Sequence, residues 1–275
     1  MGHRLQAARV RAGLTQQALC QKANISYSTL TKIERGAISS PSIFTIQSVA
    51  AALGVGLDEL MGRPASPGAH QKLRSKSGVR FVFFDINGCL VRFFHGAFTL
   101  LSAHTGASPD AIESIFWHYN DRVCRGEMSM QEFNHTLATQ LHTAPLDWRR
   151  YYLDSVEPMP GMQELVAWVA DRYEVGLLTN IMPGLVDGLQ DHGFIPRIAY
   201  SAIVDSSKVG AIKPEEKMYE IAASQAHVPA PEILLVDDAR INIMAAEKQG
   251  WHVLWFDDYH PENSIDRIKT ALEPA

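Results

Sequence analysis

The chain has 275 residues, 46% apolar and 20% charged, an ordinary globular composition with enough length for two domains. Three cysteines, Cys20, Cys89 and Cys124, are too dispersed to imply a disulfide framework or a cysteine-based zinc site. The net charge of −5 hides a division, because residues 1–80 hold 11 Lys and Arg against 3 Asp and Glu while the rest holds 14 against 27, which predicts an anionic partner for the first part only.

Met1-Gly2-His3-Arg4 runs into a charged amphipathic stretch without the apolar core of a signal peptide, which points to the cytoplasm. Leu5, Ala8 and Ala12 give a first helix its apolar face. Gly13-Leu14 breaks the chain, and Thr15 can cap a second helix over Gln16–Ala23. Asn24-Ile25 reads as a tight turn, after which Ser26 caps a third helix that ends at Glu34-Arg35-Gly36. Ser42 caps a fourth, with Ile43, Ile46, Val49, Ala50 and Leu53 at helical spacing, and a fifth closes the bundle over Leu57–Met61. An uncharged stretch, Ser39–Leu57, is broken by Pro41, Thr45 and Gln47, so no membrane span is expected.

Two helices joined by a short turn form the unit whose second helix enters the major groove of DNA. Here that helix offers Ser26, Tyr27, Ser28, Thr29, Thr31 and Lys32, all able to hydrogen-bond. The string Gly13-Leu14-Thr15-Gln16, Leu19, Ile25-Ser26, Leu30, Ile33-Glu34-Arg35-Gly36, Pro41 and Ala50 to Val55 resembles the phage-repressor-like (XRE) helix-turn-helix family. The resemblance implies that Gln16 holds a phosphate while Gln17, Ser26, Tyr27, Thr29 and Lys32 lie over base edges. Phosphate contacts would position the domain and base contacts would specify the site.

Residues 1–61 are therefore expected to be a helical DNA-binding domain, and residues 62–79 a linker. Gly62-Arg63-Pro64-Ala65-Ser66-Pro67-Gly68 is rich in breakers. Lys72, Arg74, Lys76 and Arg80 come next without an acid between them. A solvated tether is the plain reading and a supplementary phosphate contact the sharper one.

From residue 80 onward, short apolar runs end in polar residues. Phe81-Val82-Phe83-Phe84 leads to Asp85-Ile86-Asn87-Gly88, Gly176-Leu177-Leu178 to Thr179-Asn180, and Ile233-Leu234-Leu235-Val236 to Asp237-Asp238. Such runs are the signature of buried parallel strands, whose carboxyl ends bind ligands in open α/β sheets. The 94 residues from Asp85 to Thr179 are too many for one βα unit, so a helical cap is expected over about 91–158. With Ile212-Lys213-Pro214 added, the strand ends suit a phosphate and a divalent cation.

These motifs, in this order, resemble the haloacid dehalogenase (HAD) superfamily, and Gly126-Glu127-Met128-Ser129 with Glu132-Phe133 resembles its sugar-phosphate phosphatase branch. The resemblance implies a Rossmann-like parallel-sheet α/β fold over 80–275. It places Asp85 as the nucleophile that takes up the phosphoryl group, and Mg2+ on Asp85, the backbone carbonyl of Asn87 and Asp238, with Asp237 orienting the shell. Thr179, Asn180 and Lys213 would bind the phosphate. Asn87 stands where phosphatases of this superfamily usually carry a second aspartate that protonates the leaving group and then activates water. An amide cannot exchange that proton, and such acid–base help supplies ~10²–10⁴-fold.

The expectation is a regulator that binds a DNA operator as a homodimer and whose second domain binds Mg2+ and a phosphorylated small molecule, as sensor or slow phosphatase. The alternative is an active phosphohydrolase that the DNA-binding domain regulates or recruits.

Overall fold

The computed structural model describes residues 2–38, 41–53 and 72–275. The chain divides into two compact units, residues 1–70 and 71–275.

In the first unit, helices α1 (Gly2–Arg11), α2 (Gln16–Ala23), α3 (Tyr27–Glu34) and α4 (Ile43–Leu53) surround a small core. That core is built from Leu5, Ala8, Leu19, Cys20, Leu30, Ile33, Ile46 and Val49. Capping fixes the helix starts. Thr15 Oγ1 accepts from Ala18 N at 3.1 Å, Ser26 Oγ from Thr29 N at 3.1 Å and Ser42 Oγ from Thr45 N at 3.2 Å, each satisfying one orphan N–H of a first turn. Asn24, at φ 51°, turns α2 into α3. Ala12 is exposed rather than part of the apolar face, because α1 ends one residue before it. The fifth helix expected over Leu57–Met61 and the Gly62–Gly68 segment lie outside the described residues.

The second unit is built on five parallel strands in the order β3-β2-β1-β4-β5. They are β1 (Phe81–Phe84), β2 (Glu174–Thr179), β3 (Ala202–Asp205), β4 (Ile233–Asp237) and β5 (His252–Trp255). β1 is central and buried on both faces, so its sequence is continuously apolar. Val82 and Phe84 face one core, and Phe81 and Phe83 the other. The chain runs outward from β1 through β2 to β3 and then resumes on the other side with β4, which leaves a topological switch point at the carboxyl end of β1.

The long interval after β1 folds into α5 (His95–Thr105), α6 (Pro109–Cys124), α7 (Met130–Gln140) and α8 (Trp148–Ser155). Ser129 and Glu132 form a reciprocal capping box at the start of α7. The aromatic centre of this cap is Trp148, whose ring lies 4.6 Å from Phe116 and 5.5 Å from Phe98, centroid to centroid. The remaining helices are α9 (Met162–Arg172), α10 (Leu185–Asp191), α11 (Ser206–Val209), α12 (Glu216–Ala226), α13 (Arg240–Lys248) and α14 (Pro261–Ala271).

The boundary expected at residue 79 moves toward the N-terminus. Val79 and Ser75 are buried, and Ser75 bridges to Pro274. Lys76 pairs with Glu273 at 2.8 Å, Arg80 pairs with Glu232 at 3.0 Å, and Arg74 also pairs with Glu232. Lys72 donates to the Tyr173 carbonyl at 3.2 Å. Residues 72–80 thus belong to the second unit, and their positive charges meet its own acids and carbonyls rather than standing free for a nucleic acid.

Candidate functional site

Asp85, Thr179, Lys213, Asp237 and Asp238 converge at the carboxyl end of the sheet. Asp85 follows β1 and accepts from Ile86 N at 2.7 Å. Lys213 Nζ lies 3.0 Å from Asp85 Oδ2 and 2.5 Å from Asp237 Oδ2. Ligand atoms of Asp85, Asp237 and Asp238 all fall within 4.8 Å of one another. Gly88 makes this approach possible. Its φ is 85°, and a Cβ there would sit 2.2 Å from Asp238 Oδ2, so a side chain at this position would displace the carboxylate.

The cluster carries three carboxylates against one ammonium, a surplus of negative charge. Burial, with repulsion from Asp237, holds Asp85 up to about 6 although Lys213 opposes the shift. Burial and the charges of Asp85 and Asp237 push Asp238 up to about 7. Burial lowers the Lys213 pKa, but Asp237 and Asp85 more than reverse that and raise it above the ordinary lysine value. Asp237 is already occupied: Lys213, the Ala239 N–H and the Asn242 amide all donate to it.

Among the described residues the Thr179 hydroxyl is buried without a hydrogen-bond partner, unusual for a polar group in a core, and it is available to an incoming oxygen. Asn180, expected on the phosphate, has its side chain engaged with the lysine loop. Its Nδ2 donates to the Lys213 carbonyl at 2.8 Å and its Oδ1 accepts from Lys213 N at 2.7 Å. Asn180 thus clamps the lysine loop from its place directly after Thr179.

Asn87 Oδ1 accepts from the buried Tyr152 hydroxyl of α8 at 2.7 Å. Its backbone carbonyl accepts no backbone hydrogen bond among the described residues. The cavity beside it, bordered by Phe94, Trp148, Tyr152, Asn180 and Met182, has a volume of only about 20 Å³. The cap meets the rest of the unit at a polar seam as well. Arg125 Nε donates to Glu215 Oε1 at 3.0 Å, and a Cβ on Gly126, at φ 69°, would lie 2.5 Å from the Ser207 carbonyl.

In the first unit, Gln17, Ser26, Tyr27 and Lys32 are exposed and Thr29 is half-buried. Gln16 is held from two sides, donating to Glu34 Oε2 at 2.6 Å and accepting from the Tyr27 hydroxyl at 2.9 Å. Glu34 in turn pairs with Arg9 at 2.7 Å. Ser26 and Thr29 hydroxyls lie 2.7 Å apart at the start of α3.

A profile of haloacid dehalogenase-like hydrolases matches residues 79–250. The chain belongs to this family. A helix-turn-helix profile matches residues 5–60 of the same HAD protein, so its first unit is a DNA-binding helix-turn-helix domain. The pyrimidine 5′-nucleotidase YjjG of Escherichia coli is 27% identical over 196 residues, covering 66% of this chain and 83% of that one. The immunity repressor protein of Bacillus phage phi105 is 42% identical over 62 residues, 22% of this chain. The match spans 42% of that repressor's own length. Among solved structures, a HAD-like family hydrolase of Porphyromonas gingivalis superposes with a TM-score of 0.61 at 21% identity, over 72% of this chain and 99% of that one. A HAD family enzyme of Bacteroides thetaiotaomicron, in complex with magnesium and inorganic phosphate, gives 0.53 at 14% identity over 66% of this chain and 96% of that one. At these identities the two structures establish the fold of this HAD unit.

Two features of this HAD protein escaped the sequence reading. Tyr152 lies 65 residues from Asn87 and carries no motif. Arg9 looks like an ordinary charged position and Glu34 entered only as part of the helix-turn-helix string, yet both are buried and paired.

Proposed function

We propose that the protein is a transcriptional regulator. Its helix-turn-helix unit reads an operator as a dimer, and its HAD unit binds Mg2+ and a phosphorylated ligand as sensor or slow phosphatase. The observation that carries this reading is Asn87, an amide bonded to Tyr152 beside an otherwise complete anionic cluster. Asp85 and Asp238 supply the hard oxygen donors that magnesium takes, and the free Asn87 carbonyl fits as a further ligand. The ion would offset the surplus charge and polarise phosphoryl oxygens. Thr179 and Lys213 would hold those oxygens, Asp85 would act as nucleophile, and Asp237 would fix the lysine. On the first unit, Gln17 and Lys32 would offer their exposed side chains to DNA, while Tyr27 orients Gln16 for a phosphate.

A competent phosphohydrolase, recruited or regulated by the DNA-binding domain, is the second reading, and the similarity to a pyrimidine 5′-nucleotidase favours it. Phosphate release over a panel of nucleoside monophosphates and sugar phosphates separates the two. Asn87→Asp is expected to raise release ~10²-fold or more, and Asp85→Asn to abolish it. Wild-type turnover near ordinary enzyme rates, about 10 s⁻¹, with no gain from Asn87→Asp would overturn the sensor reading.

A further inference from the structure

We propose that Asp85 is a phosphoryl-acceptor site for small acyl phosphates, and that the phosphorylated aspartate persists as the signalling state of the HAD unit. This rests on the sensor reading and names its ligand class.

Space is the first constraint. The cavity beside Asn87 is small, about 20 Å³. Phe94, Trp148 and Tyr152 border it and are buried, and they pack in one continuous core with Ile181, Met182 and Leu185 of the segment after β2. The Arg125–Glu215 pair and the close approach of Gly126 to Ser207 also hold the cap against the rest of the unit. In this arrangement a donor with a very small leaving group asks for less displacement of the cap than a sugar or nucleoside does.

The proton is the second constraint. A sugar or nucleoside leaves as an alkoxide and needs protonation as it departs. Asn87 has no acidic proton to give, and its Oδ1 already accepts from Tyr152. An acyl phosphate leaves as a carboxylate, which needs none. In the transfer, an Asp85 oxygen attacks phosphorus and forms the new P–O bond. The bond from phosphorus to the acyl oxygen breaks, and its electron pair departs with the carboxylate. No proton moves and nothing is oxidised or reduced. The unpartnered Thr179 hydroxyl and the Lys213 ammonium, 3.0 Å from Asp85 Oδ2, stand ready for the transferred oxygens.

The amide at position 87 also sets the lifetime. Hydrolysis of the phosphoryl-aspartate requires a base to take the proton of the attacking water, and Asn87 cannot serve as one. Loss of that assistance slows the step ~10²-fold or more.

The test incubates the full-length protein with acetyl phosphate and magnesium and follows intact mass. The expected result is a gain of one phosphoryl group, released by hydroxylamine as acyl phosphates are and mapped to Asp85 by peptide analysis. Asp85→Asn should not acquire it, and Asn87→Asp should lose it ~10²-fold faster. In parallel, melts are recorded with magnesium and beryllium fluoride, a non-transferable phosphoryl mimic. Stabilisation by the mimic with no retained phosphoryl group, or with rapid release of phosphate from acetyl phosphate, overturns the acceptor proposal and leaves the sensor reading standing. Neither stabilisation nor modification overturns both. A modification that maps away from Asp85, or persists in Asp85→Asn, also overturns the proposal.

Discussion

Asp238 is the residue on which metal binding should turn, because it is pressed among like charges with no lysine of its own. Lys213 is shared between Asp85 and Asp237, which leaves Asp238 to be balanced by a cation from solution. Millimolar magnesium is therefore expected to raise the wild-type melting temperature, since a ligand at 100 times its dissociation constant adds roughly 2.7 kcal/mol. Asp238→Ala should abolish that shift, as thermal melts with and without magnesium will report. A shift that survives the substitution would place the ion elsewhere. At this scale, the residues that end apolar runs were legible in the sequence: Asp85, Thr179 and the Asp237-Asp238 pair each sit where a buried strand delivers them. The bridge from the Asn180 side chain to the lysine loop was not legible, because it joins positions 33 residues apart. Tyr152 was illegible because only tertiary packing brings α8 to the loop after β1.

Between elements, two polar contacts hold parts that sequence patterns do not connect. In the helix-turn-helix unit, Glu34 of α3 receives Arg9 of α1 and Gln16 of α2. Glu34→Ala leaves the Arg9 guanidinium buried without its carboxylate, a change that costs about 3 kcal/mol. Denaturant melts of the full chain should show the helical unit weakened by that order, and an unchanged unit would mean that Arg9 reaches solvent. At the cap seam, the Arg125 hydrogen bond holds the Glu215 carboxyl below the ordinary glutamate range although partial burial opposes it. A depressed acid stabilises the fold above its unfolded value, near 4.3, and that contribution is lost as pH falls through the lower folded value. The pair is partly exposed, so Arg125→Ala should cost no more than about 1 kcal/mol at neutral pH. The difference from wild type should vanish in acid, and a difference independent of pH would assign the effect to packing. The central strands and cap helices followed from apolar periodicity. The edge strands did not: β3 exposes Ile203 between buried neighbours and β5 is half-buried throughout, so neither is buried on both faces as β1 and β4 are.

For the molecule as a whole, the charge division read from the sequence falls on two different chemistries: a helical unit that binds DNA and a HAD unit whose acids gather around one lysine. Lys72, Arg74, Lys76 and Arg80 belong to the second of these, where they are paired with acids and carbonyls, so the excess available to DNA resides in the residues before them. Among the described residues no helix is long and apolar enough to cross a membrane. A single claim joins the two chemistries, that the phosphoryl state of the HAD unit changes how the helix-turn-helix unit holds DNA. The direct measurement is operator affinity of the full-length protein, on a site selected from random duplexes, with and without magnesium and beryllium fluoride. Coupled sites differ by roughly 5–150-fold in such an experiment, and a change in that range, removed by Asp238→Ala, is the predicted result. Equal affinity in both conditions, while the same additions still raise the melting temperature, would contradict it.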